Sequence, residues 1–271
     1  MVVQHNMQAV NTNRMLGQNV KAVQKSTEKL SSGYAVNRAA DDAAGLSISE
    51  KMRNQIRGLN QSVKNAEDGI SLIQTAEGNM NEIHSILQRM GELAIKARND
   101  VNASEDRRSI NDEVIQLKAE ISAITTKAEF NGTKLLNGDM SKGKTLQVGA
   151  NMGETMAISI KGTSLSNLGL ADASVSTGVK ASTAIGKIQS AIKNVSAQRS
   201  LLGAIQNRLE YTINNLENYS ENLTSAESNI RDTDMATEMV NYSKNNILQQ
   251  AAQSMLSQAN QSTQGVLNLL Q

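Results

Sequence analysis

The 271 residues include no cysteine, which excludes disulfides and thiolate metal sites without fixing the compartment. Proline is absent too, where ordinary usage of about 5% would supply about a dozen. A chain without the residue that breaks helix interiors can build long helices. Tryptophan is missing and phenylalanine occurs once, so burial must rest on Leu, Ile, Val, Met and Ala in narrow seams between helices. A net charge of +1, from 27 basic and 26 acidic residues, gives no electrostatic case for nucleic acid or an anionic membrane. No apolar run approaches the roughly 18 residues of a membrane-spanning helix, so no insertion into a bilayer is expected. The opening MVVQHNMQAVNTNR has no basic flank followed by an apolar run and is not a general secretory signal; export would need another route. The two histidines, His5 and His84, show no HxxxH or HExxH spacing, and there is no GxxxxGK[ST] loop. Asp41, Asp42 and Glu50 read as solvated acids near a helix start rather than a catalytic pair. No enzymatic activity, cofactor or metal is expected.

Against these absences stands one long periodicity. Apolar residues at Met52, Ile56, Leu59, Val63, Ala66, Ile70 and Ile73 alternate steps of four and three, the spacing of a helix face turned toward a partner. The beat then slips by one three-residue step and continues through Ala76, Met80, Ile83, Leu87, Met90, Ala94 and Ala97. The result is a rod of roughly 65 to 70 Å. The slip leaves Glu77, His84 and Gly91 on one flank and Ile86, Arg89 and Leu93 on the other, where an exposed isoleucine and leucine call for a partner. Measured from the core stripe, Leu93 lies about 80° off centre and Arg89 about 120°, so from pattern alone Leu93 is a core-edge residue and Arg89 a solvated charge.

Before the rod, residues to about Leu30 carry a weaker stripe that ends at Ser31, Ser32 and Gly33. Asp41 or Asp42 is placed to cap the rod. After it, Asn99 to Ser104 is a turn, and Ile110, Val114, Leu117, Ile121, Ile124 and Ala128 mark a second helix packing antiparallel. Phe130 to Gly132 and Asn137 to Gly138 are turn chemistry. Period-two residues Leu146, Val148, Ala150 and Met156, Ile158, Ile160 predict a β-hairpin over about 145–161. Thr163 to Ser182 reads as a loop or tip where an insertion does least harm. Ile185 to Ile230 form a second rod. From Asn245 to Gln271 there is no charged residue, yet Leu248, Ala252, Met255, Ala259, Val266 and Leu269 keep heptad spacing. Such a helix meets protein on both faces, or is a tail disordered until bound. The expected fold is mainly α: an elongated antiparallel helical bundle with a small β-hairpin region. Residues 1–40 plus 235–271 form a terminal helical coiled-coil domain that folds on assembly, and 41–234 the rod domain.

The stretches EKLSSGYAVNRAADDAAGLSISEKMRNQIRGL at 28–59, NAEDGISLIQTAEGNMNEIHSILQRMGELA at 65–94, EFNGTKLL at 129–136 and NILQQAAQSMLSQAN at 246–260 resemble bacterial flagellin, in the right order over nearly all the chain. The lack of a large insertion near 163–182 is similar to short flagellins without variable outer domains. The resemblance implies a subunit that polymerises with itself into the flagellar filament for motility. It implies export through the flagellar type III apparatus, a chaperone on the C-terminal segment, and filament cap and junction proteins as partners. The inner tube would be lined by the terminal helices, with polymerisation contacts at Val3, Met7, Val10, Val20, Val23, Leu248, Ala252, Met255, Ala259, Val266 and Leu269. It also implies recognition by vertebrate Toll-like receptor 5 at Arg89, Leu93 and Glu113. The chain departs from the family pattern at Gly91, where arginine is common, and at its VLNLLQ end, which lacks the usual proline and terminal arginine. Other readings are a hook–filament junction protein of the same superfamily or a signalling coiled-coil rod. The latter leaves the hairpin and the uncharged tail unexplained.

Overall fold

A computed structural model describes residues 6–269, and side chains as far as Ser262. Five helices dominate: α1 (Met7–Ser32), α2 (Ala43–Arg98), α3 (Ser104–Lys127), α4 (Gly178–Arg231) and α5 (Met235–Leu269). Between α3 and α4 lie two antiparallel strand pairs, β1 (Glu129–Phe130) with β2 (Thr133–Lys134), and β3 (Lys144–Gln147) with β4 (Thr155–Ile158). The mainly α architecture with a β-hairpin agrees with expectation. The chain divides into two compact units, one made of residues up to Asn54 and from Glu221 onward, the other Gln55–Ser220.

In the second unit α2 is the common partner of α3 and α4, and both run antiparallel to it. Arg89 reaches Glu113 and Arg107 reaches the Ala97 carbonyl on one side. Arg199 pairs with Glu77, and Arg98 with Ser182, on the other. The expected slip in the α2 stripe does not occur. The buried positions run Leu59, Ser62, Ala66, Gly69, Ile73, Ala76, Met80, Ile83, Leu87, Met90, Ala94 and Ala97 in unbroken three-four steps. Val63 and Ile70, read as the seam, lie at its edge. The reason is the hairpin: a Cβ on Gly69 would lie 2.7 Å from Leu146 Cδ2, and one on Gly58 would lie 2.9 Å from Ala150 Cβ. Small residues occupy the seam where β3 and β4 press on it, and a pattern drawn through large side chains alone misses them. On α4 likewise Ala184, Ala191 and Gln198 are buried while Ile185, Ile192 and Arg199 sit at the seam's edge.

The hairpin is shorter and earlier than its period-two residues suggested. Leu146 pairs with Met156, and β3 ends at Gln147, so Val148 and Ala150 belong to the connection. Asn65 Nδ2 fastens it to α2 by donating to the Gln147 carbonyl at 3.1 Å. The Asn131–Gly132 turn, with φ of 46° and 74°, closes a small β1–β2 hairpin where turn chemistry alone was expected.

The segment read as a tolerant tip is packed. Leu168, Leu170, Ala173 and Val175 are buried in the core. Lys118 Nζ donates to the carbonyls of Ala171 and Ala173, and Asn111 Oδ1 accepts from Val175 N and the Ser174 hydroxyl. Its apolar residues are too sparse to show a period, but α3 supplies the polar anchors that order it, and α4 starts at Gly178 within the expected loop.

Candidate assembly surface

The terminal helices pair antiparallel. Asn6 caps α1 by accepting from the Ala9 amide at 3.0 Å, and its Nδ2 donates to the Ala259 carbonyl at 2.9 Å. At the other end Gly33, at φ 77°, closes α1 in the left-handed region that favours glycine. There the chain is clasped: Ala35 N donates to Arg231 O at 2.7 Å and Thr233 N to Gly33 O at 2.9 Å. The Arg231 side chain is buried in the clasp, its Nη1 2.5 Å from Glu50 Oε1 and its guanidinium 4.8 Å from the centre of the Tyr34 ring. Arg231 lowers the Glu50 carboxyl pKa below the usual range. Asp234 starts α5, accepting from the Thr237 hydroxyl and from the Thr237 and Ala236 amides, which hold its carboxyl low as well. At the start of α2 it is Asp42 that caps, accepting from Ala44 N and Gly45 N at 3.0 Å each. Asp41 instead takes Lys25 at 2.9 Å.

Each terminal helix buries one face on the other and leaves a second apolar face open. Leu16, Val20 and Val23 on α1, and Tyr242, Ala252 and Leu256 on α5, are half-buried, and Ala259 is buried. Met7, at 72% exposure, Val10 and Met15 point outward on α1. On α5 so do Met235, Met239, Val240, Ile247, at 65% exposure, Leu248 and Met255. Of the expected polymerisation contacts, Met7, Val10, Leu248 and Met255 are therefore open to a partner, while Val20, Val23, Ala252 and Ala259 lie toward the intramolecular seam. Val3 lies outside the described residues, as do the side chains of Val266 and Leu269. Met235, Met239, Val240 and Ile247 fall off the heptad that runs through the tail, so that spacing does not point to them. The density of methionine and β-branched residues on an otherwise polar helix was the available signal.

The three receptor positions fall on the second unit. Arg89 Nη2 and Nε lie 2.9 and 3.1 Å from Glu113 Oε1, tying α2 to α3, and Arg89 Nη1 lies 3.2 Å from Glu92. Glu113 and then Glu92 raise the guanidinium's pKa further. Leu93 is only 3% exposed, in the core. The reading of Leu93 as a core-edge residue therefore holds, and the exposed leucine expected on the flank of the slip is overturned, because α2 is flanked by two helices and its buried face is wider than a single seam. Ile86 is half-buried, and so is His84, whose Nε2 lies 3.1 Å from Gln88 Nε2. Among the described residues no cluster of His, Cys, Asp and Glu could hold a metal, and no helix is long and apolar enough to cross a membrane.

Paired terminal helices with an uncovered apolar face define a self-assembling helical subunit. The bacterial flagellin N-terminal helical region matches residues 3–141, and the bacterial flagellin C-terminal helical region matches residues 185–270. The flagellin of Halalkalibacterium halodurans is 53% identical over 272 residues, covering all of both chains. That of Bacillus subtilis strain 168 is 47% identical over 303 residues, again covering both completely. The crystal structure of Bacillus cereus flagellin is 31% identical, covers 56% of this chain and 88% of that one, and superposes with a TM-score of 0.52. The chain belongs to the bacterial flagellin family. It is a structural subunit that associates with itself to build the flagellar filament, which serves motility. The junction-protein alternative is not favoured.

Proposed function

We propose that this filament subunit leaves the cell through the flagellar type III apparatus, held beforehand by a chaperone on its C-terminal segment, and assembles outside the cell beneath a cap onto junction proteins. Residues 1–40 plus 235–271 form the terminal domain that lines the inner tube and orders fully on assembly, and 41–234 form the rod domain. The observation that carries this is the outward apolar face of α5, on a helix whose other face already pairs with α1. Purified full-length chain, seeded or salted out, is expected to form long filaments in negative-stain micrographs. Limited proteolysis of the monomer is expected to remove the segments before about Leu30 and after about Met235 first. Persistent monomers under conditions that polymerise a known flagellin would sink the assembly reading, and equal protection of ends and rods would sink the deferred ordering. Toll-like receptor 5 would read the exposed Arg89–Glu113 pair, with Leu93 supporting the surface from beneath. Reporter-cell activation that survives Arg89→Ala would refute that.

A further inference from the structure

Two exposed helix faces in the unit Gln55–Ser220 carry complementary features. On α4, Ala204, Arg208, Tyr211 and Asn215 follow four-three-four steps on a face centred roughly 150° from the buried stripe of Val195, Leu202 and Leu209, with Arg208 on its near side and Tyr211 on its far side. All four are exposed, Tyr211 at 77%. They line one shallow recess. On α3, Arg108, Asp112, Ile115 and Ala119 repeat the same steps opposite Ile110, Val114 and Ile121, and all four are exposed, Ile115 at 49%. Each of these faces carries one exposed large apolar or aromatic side chain among charged and small ones. Among the described residues neither Arg208 nor Asp112 has an ion-pair partner.

We propose that these two faces are the halves of one contact between copies of this chain, α4 of one copy seated on α3 of the next. The occupant follows from three points. A pair of different patches on one chain is heterologous and, unlike a self-matching patch that closes a dimer, can propagate from copy to copy, which a filament subunit requires. Copies related by rotation about and translation along one axis keep each helix's sense along it. Since α3 and α4 both run opposite to α2, they meet in parallel across such a contact. Laid in parallel, the matching steps bring Arg208 to Asp112 and Tyr211 to Ile115, with Ala204 and Asn215 facing Arg108 and Ala119. Charge complements charge, and the one large apolar residue of the α3 face meets the recess beside Tyr211.

The proposal rests on the filament function and is tested on the full-length chain by measuring the critical concentration for polymerisation by sedimentation. Arg208→Glu, Asp112→Arg and Tyr211→Ala are each expected to raise it about tenfold or more, with monomer helicity and melting unchanged because all three sites are exposed. Arg208→Glu combined with Asp112→Arg is expected to restore it to within about threefold of the unsubstituted chain. Single variants that polymerise normally would give the faces to another partner or to solvent and overturn the contact. Impaired singles without rescue in the pair would show that Arg208 and Asp112 do not meet, and would overturn it equally. Failure of the unsubstituted chain to polymerise in the same buffer would strike the filament function first, and this contact with it.

Discussion

Replacing Arg231 by methionine tests how the terminal pair is held where α1 ends and α5 begins. Methionine keeps most of the buried stem and removes the charge, the fork and the stacking plane. The lost charge-assisted hydrogen bond to Glu50 is worth about 1.5 to 3 kcal/mol. The lower end applies, because the Glu50 side chain is 49% exposed and can still use Arg53 at 3.4 Å. The lost stacking on Tyr34 adds about 0.5 to 1 kcal/mol. Against this, the Arg231 Nε is buried without a hydrogen-bond partner, so its removal relieves some desolvation cost. The net is about 1.5 to 2 kcal/mol, or about ten- to thirtyfold in a local opening equilibrium. Amide hydrogen exchange reads it directly: the Ala35 and Thr233 amides, which bond across the clasp to Arg231 O and Gly33 O, should exchange about ten- to thirtyfold faster. Met80 and Leu209, in the core of the other unit, should not change. Arg231→Lys, which keeps the charge without the planar stack, should fall between. Unchanged exchange at Ala35 and Thr233 in Arg231→Met would refute the latch and leave the clasp to its backbone bonds.

Acid should loosen the same unit. Glu50, Asp41 and Asp234 are held below their ordinary values of 4.5 for glutamate and 3.8 for aspartate by Arg231, Lys25 and Thr237 respectively. Their contribution is full above those values and lost as pH falls through the lower folded values. Urea titrations followed at pH 7, 5.5 and 3 should show loss only at the last step, and a smaller loss for Glu50→Gln. A two-residue Gly-Ser insertion after Leu170, which is fully buried, should lower the melting temperature sharply, whereas the same insertion after the wholly exposed Met152 should leave it nearly unchanged. Equal tolerance at the two sites would contradict the packing of the 163–177 segment. Leu93→Ala should cost about 2 to 4 kcal/mol in thermal or chemical unfolding, whatever it does to receptor signalling. A variant as stable as the parent would mean that Leu93 is not in the core.

Helix existence was written plainly in the chain; helix edges and small-residue seams were not. Gly33 ended α1, an aspartate before Ala43 capped α2, and Ile110 to Ala128 set α3, because each signal is local. The apparent slip at Ile73 arose because Ser62 and Gly69 carry no hydrophobic signal, although their smallness is what lets β3 and β4 approach α2. Leu93 reads as core-edge from its angle and as exposed from the slip, and only the first survives, for a related reason: periodicity gives the direction of one partner, and α2 has two. The buried 163–177 segment was invisible because it is ordered by Lys118 and Asn111, more than 40 residues away in sequence. At the assembly surface the uncharged tail was legible, but which of its apolar residues turn outward depended on how α5 is rotated against α1.

That rotation decides what the terminal pair is for. Among its described residues only Ser26 and Ala259 are fully buried, so the α1–α5 seam is thin, while the other unit buries Met80, Leu87 and Leu209 outright. A helical hairpin meant to stand alone would turn its largest side chains inward; here Met239, Val240, Ile247, Leu248 and Met255 remain open. Covering the exposed half of each would contribute about 1 kcal/mol, half the value for full burial of such side chains, and about 5 kcal/mol together. That is more than a thousandfold in an association constant before any polar contact is made. A subunit arranged this way leaves part of its apolar burial for the polymer, and uncharged glutamine-rich flanks let neighbouring copies approach without repulsion at the surfaces that must meet.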